Sequence, residues 1–321
     1  EDIGADRDAV CCSLRDTSDA RCVAGMLGIP HYVFNFTRDF ETRVIERFVT
    51  EYESGRTPNP CLDCNRWLKF DRLFLRARQI GCGFIATGHY AVTERDGASG
   101  RFLLKKALDR TKDQSYVLYM LTQEQLSCTL LPLGGLRKSE VREIAEARGF
   151  VNAKKHESQD ICFVPDGRYA DFIERRRGRP SEPGDFVDES GRKLGTHMGV
   201  IRYTVGQRRG LGLASTGRLF VRGVDADRNT VTLGGEESLF SKVLFADEFN
   251  LISRKTIDRP LRVGAMTRYR QAEQPATVEM TGPDKIRLTF DEPQRAVAPG
   301  QAVVLYEEDS VLGGGTIVSM G

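Results

Sequence analysis

Residues 57–90 read TPNPCLDCNRWLKFDRLFLRARQIGCGFIATGHY, and the fold class follows from how this stretch divides. Pro58 and Pro60 pin a loop, and Cys61 and Cys64 stand directly before apolar residues at helical spacing, Leu68, Phe70, Leu73 and Leu75. Gly81 ends that pattern, and the apolar run GFIATGHY (83–90) is too short for a helix and reads as a strand.

Upstream the same alternation appears. Asp16-Thr17-Ser18 caps a helix carrying Ala20, Val23, Ala24 and Leu27, stopped by Gly28. HYVFNF (31–36) reads as a strand. A second helix follows through Phe40, Val44, Ile45, Phe48, Val49 and Tyr52, with Gly55 past its end. Short apolar strands between amphipathic helices predict βαβ units, a parallel sheet and an α/β class. Ligands of such sheets bind at the carboxyl ends of strands, where TPNPCLDCN and the end of FIATGHY fall.

After about Asp166 the character changes. RRRGRPSEPGDFVD (175–188) reads as a boundary or exposed connection. LFVRGVD (219–225) and TVTLG (230–234) flank ADRN, and LRVGAMTRYR, ATVEMTG, KIRLTFDE, QAVVLYEED and GGGTIVS follow. Short alternating segments at this spacing predict a small β domain, a barrel, at the C-terminus. The expected division is 1–166, 167–238 and 239–321.

Composition sets outer bounds. The 321 residues allow more than one domain, with 40% hydrophobic and 29% charged residues as in ordinary globular proteins. No apolar run approaches the roughly 18 residues of a membrane span, so the expected setting is the cytoplasm, with no membrane partner. Net charge is only +2, yet arginines cluster at 175–177 and 179, at Arg208 and Arg209, and at Arg268 and Arg270. Each cluster is either a phosphate contact or a solvated surface.

The eight cysteines are too sparse for a secreted disulfide scaffold. Cys61 and Cys64 form a C-x-x-C before a helix, whose N-terminal N–H groups favour a thiolate. No second C-x-x-C or H-x-x-x-H completes a zinc site, so thiol chemistry or an iron–sulfur site is expected. Cys162, in HESQDICFVPDG (156–167), is by itself equally a buried apolar thiol or a reactive one. His89 ends a strand where a side chain can reach a crevice, although a lone histidine is more often structural. Lys112, Asp113 and Gln114 occupy a polar loop opening onto a helix, and Asp113 is equally well its N-cap. TVGQRRGLGL (204–213) is either a phosphate approach or a plain turn.

CCSLRDTSDAR (11–21), LGIPHYVFNF (27–36), GRTPNPCLDCNRWLKF (55–70), ATGHY (86–90), KDQSYVLY (112–119), ESQDICF (157–163), YTVGQRRGLG (203–212), RYRQ (268–271) and APGQAV (298–303) together resemble the tRNA-specific 2-thiouridylases. The resemblance implies a PP-loop nucleotide domain, a central tRNA-binding domain and a C-terminal β-barrel. It implies a sulfurtransferase that uses ATP with Mg2+ to adenylate the 2-oxygen of a wobble uridine, then transfers sulfur from a cysteine persulfide. Cys162 matches the persulfide carrier and Cys64 the other catalytic cysteine, the two closing a disulfide as sulfur is released. Gly88 matches a nucleotide-binding position. Asn59, Pro60 and Cys61 match the segment approaching the target base. His89, Lys112, Asp113, Gln114, Arg268, Tyr269 and Gln301 match tRNA contacts. The implied partners are a tRNA with a wobble uridine and a sulfur-relay or cysteine desulfurase donor.

Two departures set further expectations. Many members carry aspartate at the position of Cys61, so Cys61, Cys64 and Cys162 together could ligate a 4Fe-4S cluster that binds sulfide. The family's SGGVDS phosphate loop is missing. The chain opens at Glu1 in the polar run EDIGADRDA, so it is expected to begin after the second strand of the nucleotide domain and to lack ATP-dependent activity by itself. The competing reading is a non-catalytic tRNA-binding or iron–sulfur remnant. A C-x-x-C redox protein fits less well, because the thioredoxin-like context is missing.

Overall fold

The structure, a computed structural model, describes residues 14–154, 161–213 and 217–321. A first helix, Leu14–Leu27, ends at Gly28 in the left-handed region. It starts ahead of Asp16-Thr17-Ser18, so those residues lie in its first turn and not at its cap. HYVFNF (31–36) is not a strand. No neighbour pairs with it among the described residues, and Tyr32 and Val33 are each 63% exposed, which is a poor setting for a β ladder.

A continuous helix runs over 37–53, with π-helical winding at Glu41–Ile45. The Asn35 Oδ1 accepts from the Thr37 N–H at its start, 2.9 Å away, and Gly55 follows its end with φ +71°. Its buried face, Val44, Ile45, Phe48, Val49 and Tyr52, is the stripe expected from the spacing. A second continuous helix covers 60–79 and is π-wound from Cys64 to Arg72. Extra residues wound into a helix often mark functional sites, and here the π segment begins at a cysteine.

The parallel sheet is represented by β1 (Ile85–Ala86) and β4 (Thr129–Leu130). Between them lies a hairpin of β2 (Ala91–Arg95) and β3 (Phe102–Lys106). The sequence reading missed it, because AVTER and FLLKK are short and only partly apolar.

The middle of the chain holds a four-stranded sheet in the order β6 (Lys193–His197), β5 (Gly184–Val187), β8 (Thr230–Gly234), β7 (Phe220–Asp225). ADRN is the turn of its β7–β8 hairpin, as read. A closed six-stranded barrel follows. It comprises β9 (Phe240–Leu251), β10 (Leu261–Met266), β11 (Gln274–Gly282), β12 (Lys285–Arg295), β13 (Ala302–Glu307) and β14 (Ser310–Met320), and β13–β14 pairing closes it.

β13 shows why QAVVLYEED lacks alternation. Val303 and Leu305 face the barrel core with Val278, Leu288 and Phe290. Ala302, Val304 and Tyr306 face a second core with Tyr116, Leu118 and Leu121. Both faces of the strand are buried, so its sequence is apolar throughout. At about 1.5–3 kcal/mol per fully buried large side chain, this shared strand binds the barrel firmly to the first third of the chain. Gly314 permits the closest approach, since a methyl group there would lie 2.6 Å from the Tyr119 ring.

Candidate active site

The loop before the 60–79 helix is held from three sides. Asn59 caps the helix, its Oδ1 accepting from the Cys61 N–H at 3.2 Å, and Pro60 sits buried in the first turn, where a missing N–H costs nothing. From the barrel, the Thr57 N–H donates to the Pro299 carbonyl at 2.8 Å and the Gln301 Nε2 donates to the Thr57 carbonyl at 2.7 Å. Gly300, at φ +88°, makes this docking possible, because a methyl group there would lie 2.9 Å from the Thr57 nitrogen. Cys61 is exposed and Cys64 half-buried in the helix's first turns, where the N–H groups and dipole favour thiolate character.

Behind the cysteines lies a charge cluster with Asp63 as its buried member. Asp63 is held between Arg47 at 3.4 Å and a wider set of charges. Burial pushes its carboxyl up to about 6, although Arg47 and Arg66 oppose the shift. Glu248 of β9 receives Arg66 at 3.0 Å and Arg47 at 3.7 Å. These groups line a small cavity of about 30 Å³ with Asn59, Tyr119 and Gly300. Asn65, directly after Cys64, is buried and donates to the Val117 carbonyl at 3.1 Å. None of this was visible in the sequence. Glu248 lies far from Arg47 along the chain, and no spacing rule joins them.

The other candidates fall around the loop in different ways. Asp113 accepts from the Ala107 N–H at 2.8 Å and the Ser115 hydroxyl at 2.6 Å, so it fastens its own loop, and Gln114 rather than Asp113 precedes the short Ser115–Leu118 turn of helix. Gln114 exchanges two bonds with the Tyr90 backbone. Lys112 is half-buried beside it. The Tyr269 hydroxyl donates to the Asp113 carbonyl at 3.3 Å, and its ring lies 5.7 Å from that of Tyr116. Burial raises the Tyr269 phenol above its usual range, with Asp113 and Cys61 adding smaller pushes, which sets this ring in the neighbourhood of the cysteine loop. Arg268 donates to the carbonyls of Arg295 and Ala296.

His89 is only 7% exposed, and its Nδ1 lies 2.8 Å from the Thr87 hydroxyl. Burial, with Lys69 nearby, lowers its pKa to about 3, so the ring is neutral at physiological pH. At Gly88, just past β1, the backbone is open, and a side chain would first meet Leu133 Cδ1 at 3.7 Å.

Cys162 is half-buried, and only part of the ESQDICF motif (residues 161–163) lies among the described residues. Its neighbour Phe163 packs edge-on to Phe40 and Phe48 of the 37–53 helix, at 5.7 and 5.2 Å between ring centroids. Asp63, beside Cys64, is paired with Arg47 of that same helix. The 37–53 helix is therefore the common support of both cysteine segments. Among the described residues no three His, Cys, Asp or Glu side chains gather into a metal-holding group, so Cys61, Cys64 and Cys162 do not form a cluster-ligating set in this structure.

Two arginine clusters are resolved. Arg176 and Arg177 pair with Glu46, and Arg177 also with Glu53, all at 2.9 Å. Burial raises the Glu46 pKa, but the two arginines more than offset it and the carboxyl stays low. Arg176 and Arg177 thus clamp two helices together, while Arg175 and Arg179 stay exposed. TVGQRRGLGL is a turn braced by Gln207, which accepts from the Thr204 N–H and donates to the Arg209 carbonyl, leaving Arg208 and Arg209 exposed. Its Gly206 abuts Ala296, whose carbonyl Arg268 holds, so RYRQ, APGQ and this turn meet in one region. A groove of about 890 Å³ opens elsewhere, between β3 and the barrel beside Arg254, Glu273 and Glu308.

Comparison with known proteins finds three successive family matches. The tRNA methyl transferase HUP domain family matches residues 1–166, the tRNA methyl transferase PRC-barrel domain residues 170–235, and the aminomethyltransferase β-barrel domain residues 241–317. The chain is 49% identical over 307 residues to the tRNA-specific 2-thiouridylase MnmA of Clostridioides difficile, covering 96% of this chain and 85% of that protein. It is 50% identical to the tRNA-specific 2-thiouridylase MnmA of Geotalea uraniireducens and 48% to that of Carboxydothermus hydrogenoformans, covering 96% of this chain and 81% and 84% of theirs. With a HUP domain, a PRC-barrel and a terminal β-barrel in sequence, and a proline-pinned cysteine loop where the first meets the last, the chain belongs to the tRNA-specific 2-thiouridylase family.

Proposed function

We propose that this protein is a tRNA-uridine 2-sulfurtransferase that replaces the 2-oxygen of a wobble uridine with sulfur at the expense of ATP. The observation that carries the chemistry is the shared support of Cys64 and Cys162 on the 37–53 helix, through Asp63–Arg47 and Phe163–Phe48. Two thiol-bearing segments braced against one helix suit a relay in which one thiol attacks the other.

In this reading the uridine O2 is adenylated with loss of pyrophosphate, which makes it a leaving group. The terminal sulfur of a Cys162 persulfide attacks C2, and AMP leaves. The Cys64 thiolate then attacks the Cys162 Sγ. The S–S bond to the transferred sulfur breaks, a Cys64–Cys162 disulfide forms, and the sulfur stays on C2. ATP is expected near Gly88 at the end of β1, accompanied by Mg2+ on its phosphates. Asn59, Pro60 and Cys61 would face the target base, and Lys112, Asp113, Gln114, Arg268, Tyr269, Gln301 and His89 would contact or shape the surface for the tRNA. A persulfide-carrying relay protein or cysteine desulfurase is the proposed donor, in the cytoplasm. Among the described residues no helix is long and apolar enough to cross a membrane. The proposed division of labour follows boundaries at 166/167 and 238/239.

The test is thiolation of a wobble-uridine tRNA by the protein carrying the family's phosphate loop, with ATP and a persulfide donor, read as 2-thiouridine by nucleoside mass spectrometry. Wild type should thiolate, Cys162→Ser and Cys64→Ser should not, and Cys61→Ala should retain activity without iron. Absence of thiolation in wild type that still binds tRNA would leave a tRNA-binding protein. Loss of activity in Cys61→Ala that tracks bound iron would favour cluster chemistry instead.

A further inference from the structure

Trp67 follows Cys64 by three residues, within one turn of the same helix, and it is the chain's one tryptophan. Two guanidinium groups lie against its half-exposed indole. The Cζ of Arg43, from the 37–53 helix, is 4.6 Å from the ring centroid, and that of Arg66 is 4.8 Å away.

The two arginines differ in one respect. Arg66 is neutralised by Glu248 at 3.0 Å. Arg43 is exposed and has no ion-pair partner among the described residues. Arg47, Arg66, Arg72, Arg176 and Arg177 in the same helical layer each have a carboxylate within 4.0 Å, whereas Arg43, unlike the equally exposed Arg38 of its helix, is placed over an aromatic ring. A guanidinium held over an aromatic ring loses little freedom on binding, and its N–H fork suits the paired oxygens of a phosphate.

Resting on the function proposed above, we infer that Arg43, held on Trp67, is a phosphate contact for the RNA strand that presents its base to the cysteine loop. The position fits the chemistry. The helix that carries Arg43 supports both cysteine segments, so a phosphate held there fixes the strand relative to both thiols. RNA is favoured over a free nucleotide, because the site is an open helical surface where a single guanidinium without an ion pair among the described residues lies on an aromatic ring. A triphosphate would call for several converging donors.

The single tryptophan gives a direct readout in this 321-residue chain. Tryptophan fluorescence would be followed while an anticodon stem-loop RNA with a wobble uridine, ATP alone or inorganic phosphate alone is added. Anisotropy of labelled RNA would report affinity independently. RNA is expected to change the fluorescence with the same midpoint as the anisotropy, while ATP and phosphate leave it unchanged. Arg43→Gln is expected to weaken RNA binding about tenfold near physiological salt and to lower the slope of log affinity against log salt by about one. Arg43→Lys should restore the slope but only part of the affinity, and Trp67→Phe should weaken binding less than Arg43→Gln does. Unchanged RNA affinity and slope in Arg43→Gln and Trp67→Phe, with RNA still bound, would overturn this contact and leave the proposed function standing. A fluorescence response to ATP or phosphate with unchanged RNA affinity in Arg43→Gln would also overturn it. Failure of wild type to bind RNA at all would overturn the function and the contact together.

Discussion

The Gln301 amide reaches from the barrel to the Thr57 carbonyl at 2.7 Å and so fixes the backbone that leads into Asn59 and the two loop cysteines. Gln301→Ala should cost about 1 kcal/mol in urea unfolding and slow thiolation. Gln301→Glu should do worse, because it sets an acceptor against an acceptor. Reduced tRNA affinity at unchanged stability would instead make Gln301 a direct RNA contact. His89 makes a prediction in pH. Its folded pKa, about 3, lies below the unfolded value near 6.5, so the unfolded chain binds the extra proton between those limits and stability falls with acid. Between pH 7.5 and 5 the loss due to His89 should be roughly 2 kcal/mol. A His89→Gln protein should show a correspondingly flatter denaturation midpoint over that interval, and an unaltered pH slope would show that the folded ring takes up its proton as readily as the unfolded one. The sequence pointed to Gln301 and His89 but not to their partners, since a bond from residue 301 to residue 57 depends on how two distant segments dock.

At the scale of elements, the helices were legible because their apolar stripes and their terminal Gly28, Gly55 and Gly81 lie within single segments, and all three glycines take positive φ. Strands depended on neighbours. HYVFNF has strand composition without a pairing partner among the described residues, whereas AVTER and FLLKK pair with each other despite weak composition. The arginine run 175–177 shows the same limit. Whether such a run meets phosphate or carboxylate depends on Glu46 and Glu53, more than a hundred residues earlier. Because Arg177 is tied to both, Arg177→Gln should destabilise the protein by up to about 1 kcal/mol, as partly exposed ion pairs do. It should leave the salt dependence of tRNA binding as in wild type. A lower salt slope in Arg177→Gln would show that RNA displaces the glutamates and takes the arginine.

For the molecule as a whole, the decisive junction is the one between the cysteine-bearing helices and the barrel, where Arg47, Asp63, Arg66 and Glu248 meet behind the site. Asp63 has only 11% of its side chain exposed, so its charge depends on Arg47. Removing the arginine leaves a buried carboxylate poorly compensated, while removing both partners leaves no charge to compensate. Arg47→Met should therefore cost roughly 2–3 kcal/mol, less than for a fully buried pair because Arg47 stays about a third exposed. The double variant Arg47→Met with Asp63→Leu should be more stable than Arg47→Met alone. Glu248→Gln, at the more exposed end, should cost about 1 kcal/mol or less. Equilibrium urea unfolding of the cycle measures the coupling directly, and strictly additive losses for Arg47 and Asp63 would mean that the two charges are solvated independently. If the coupling holds, the barrel and the cysteine loop are one mechanical unit. Variants that loosen the Glu248 end should then slow sulfur transfer even where they leave the thiols untouched.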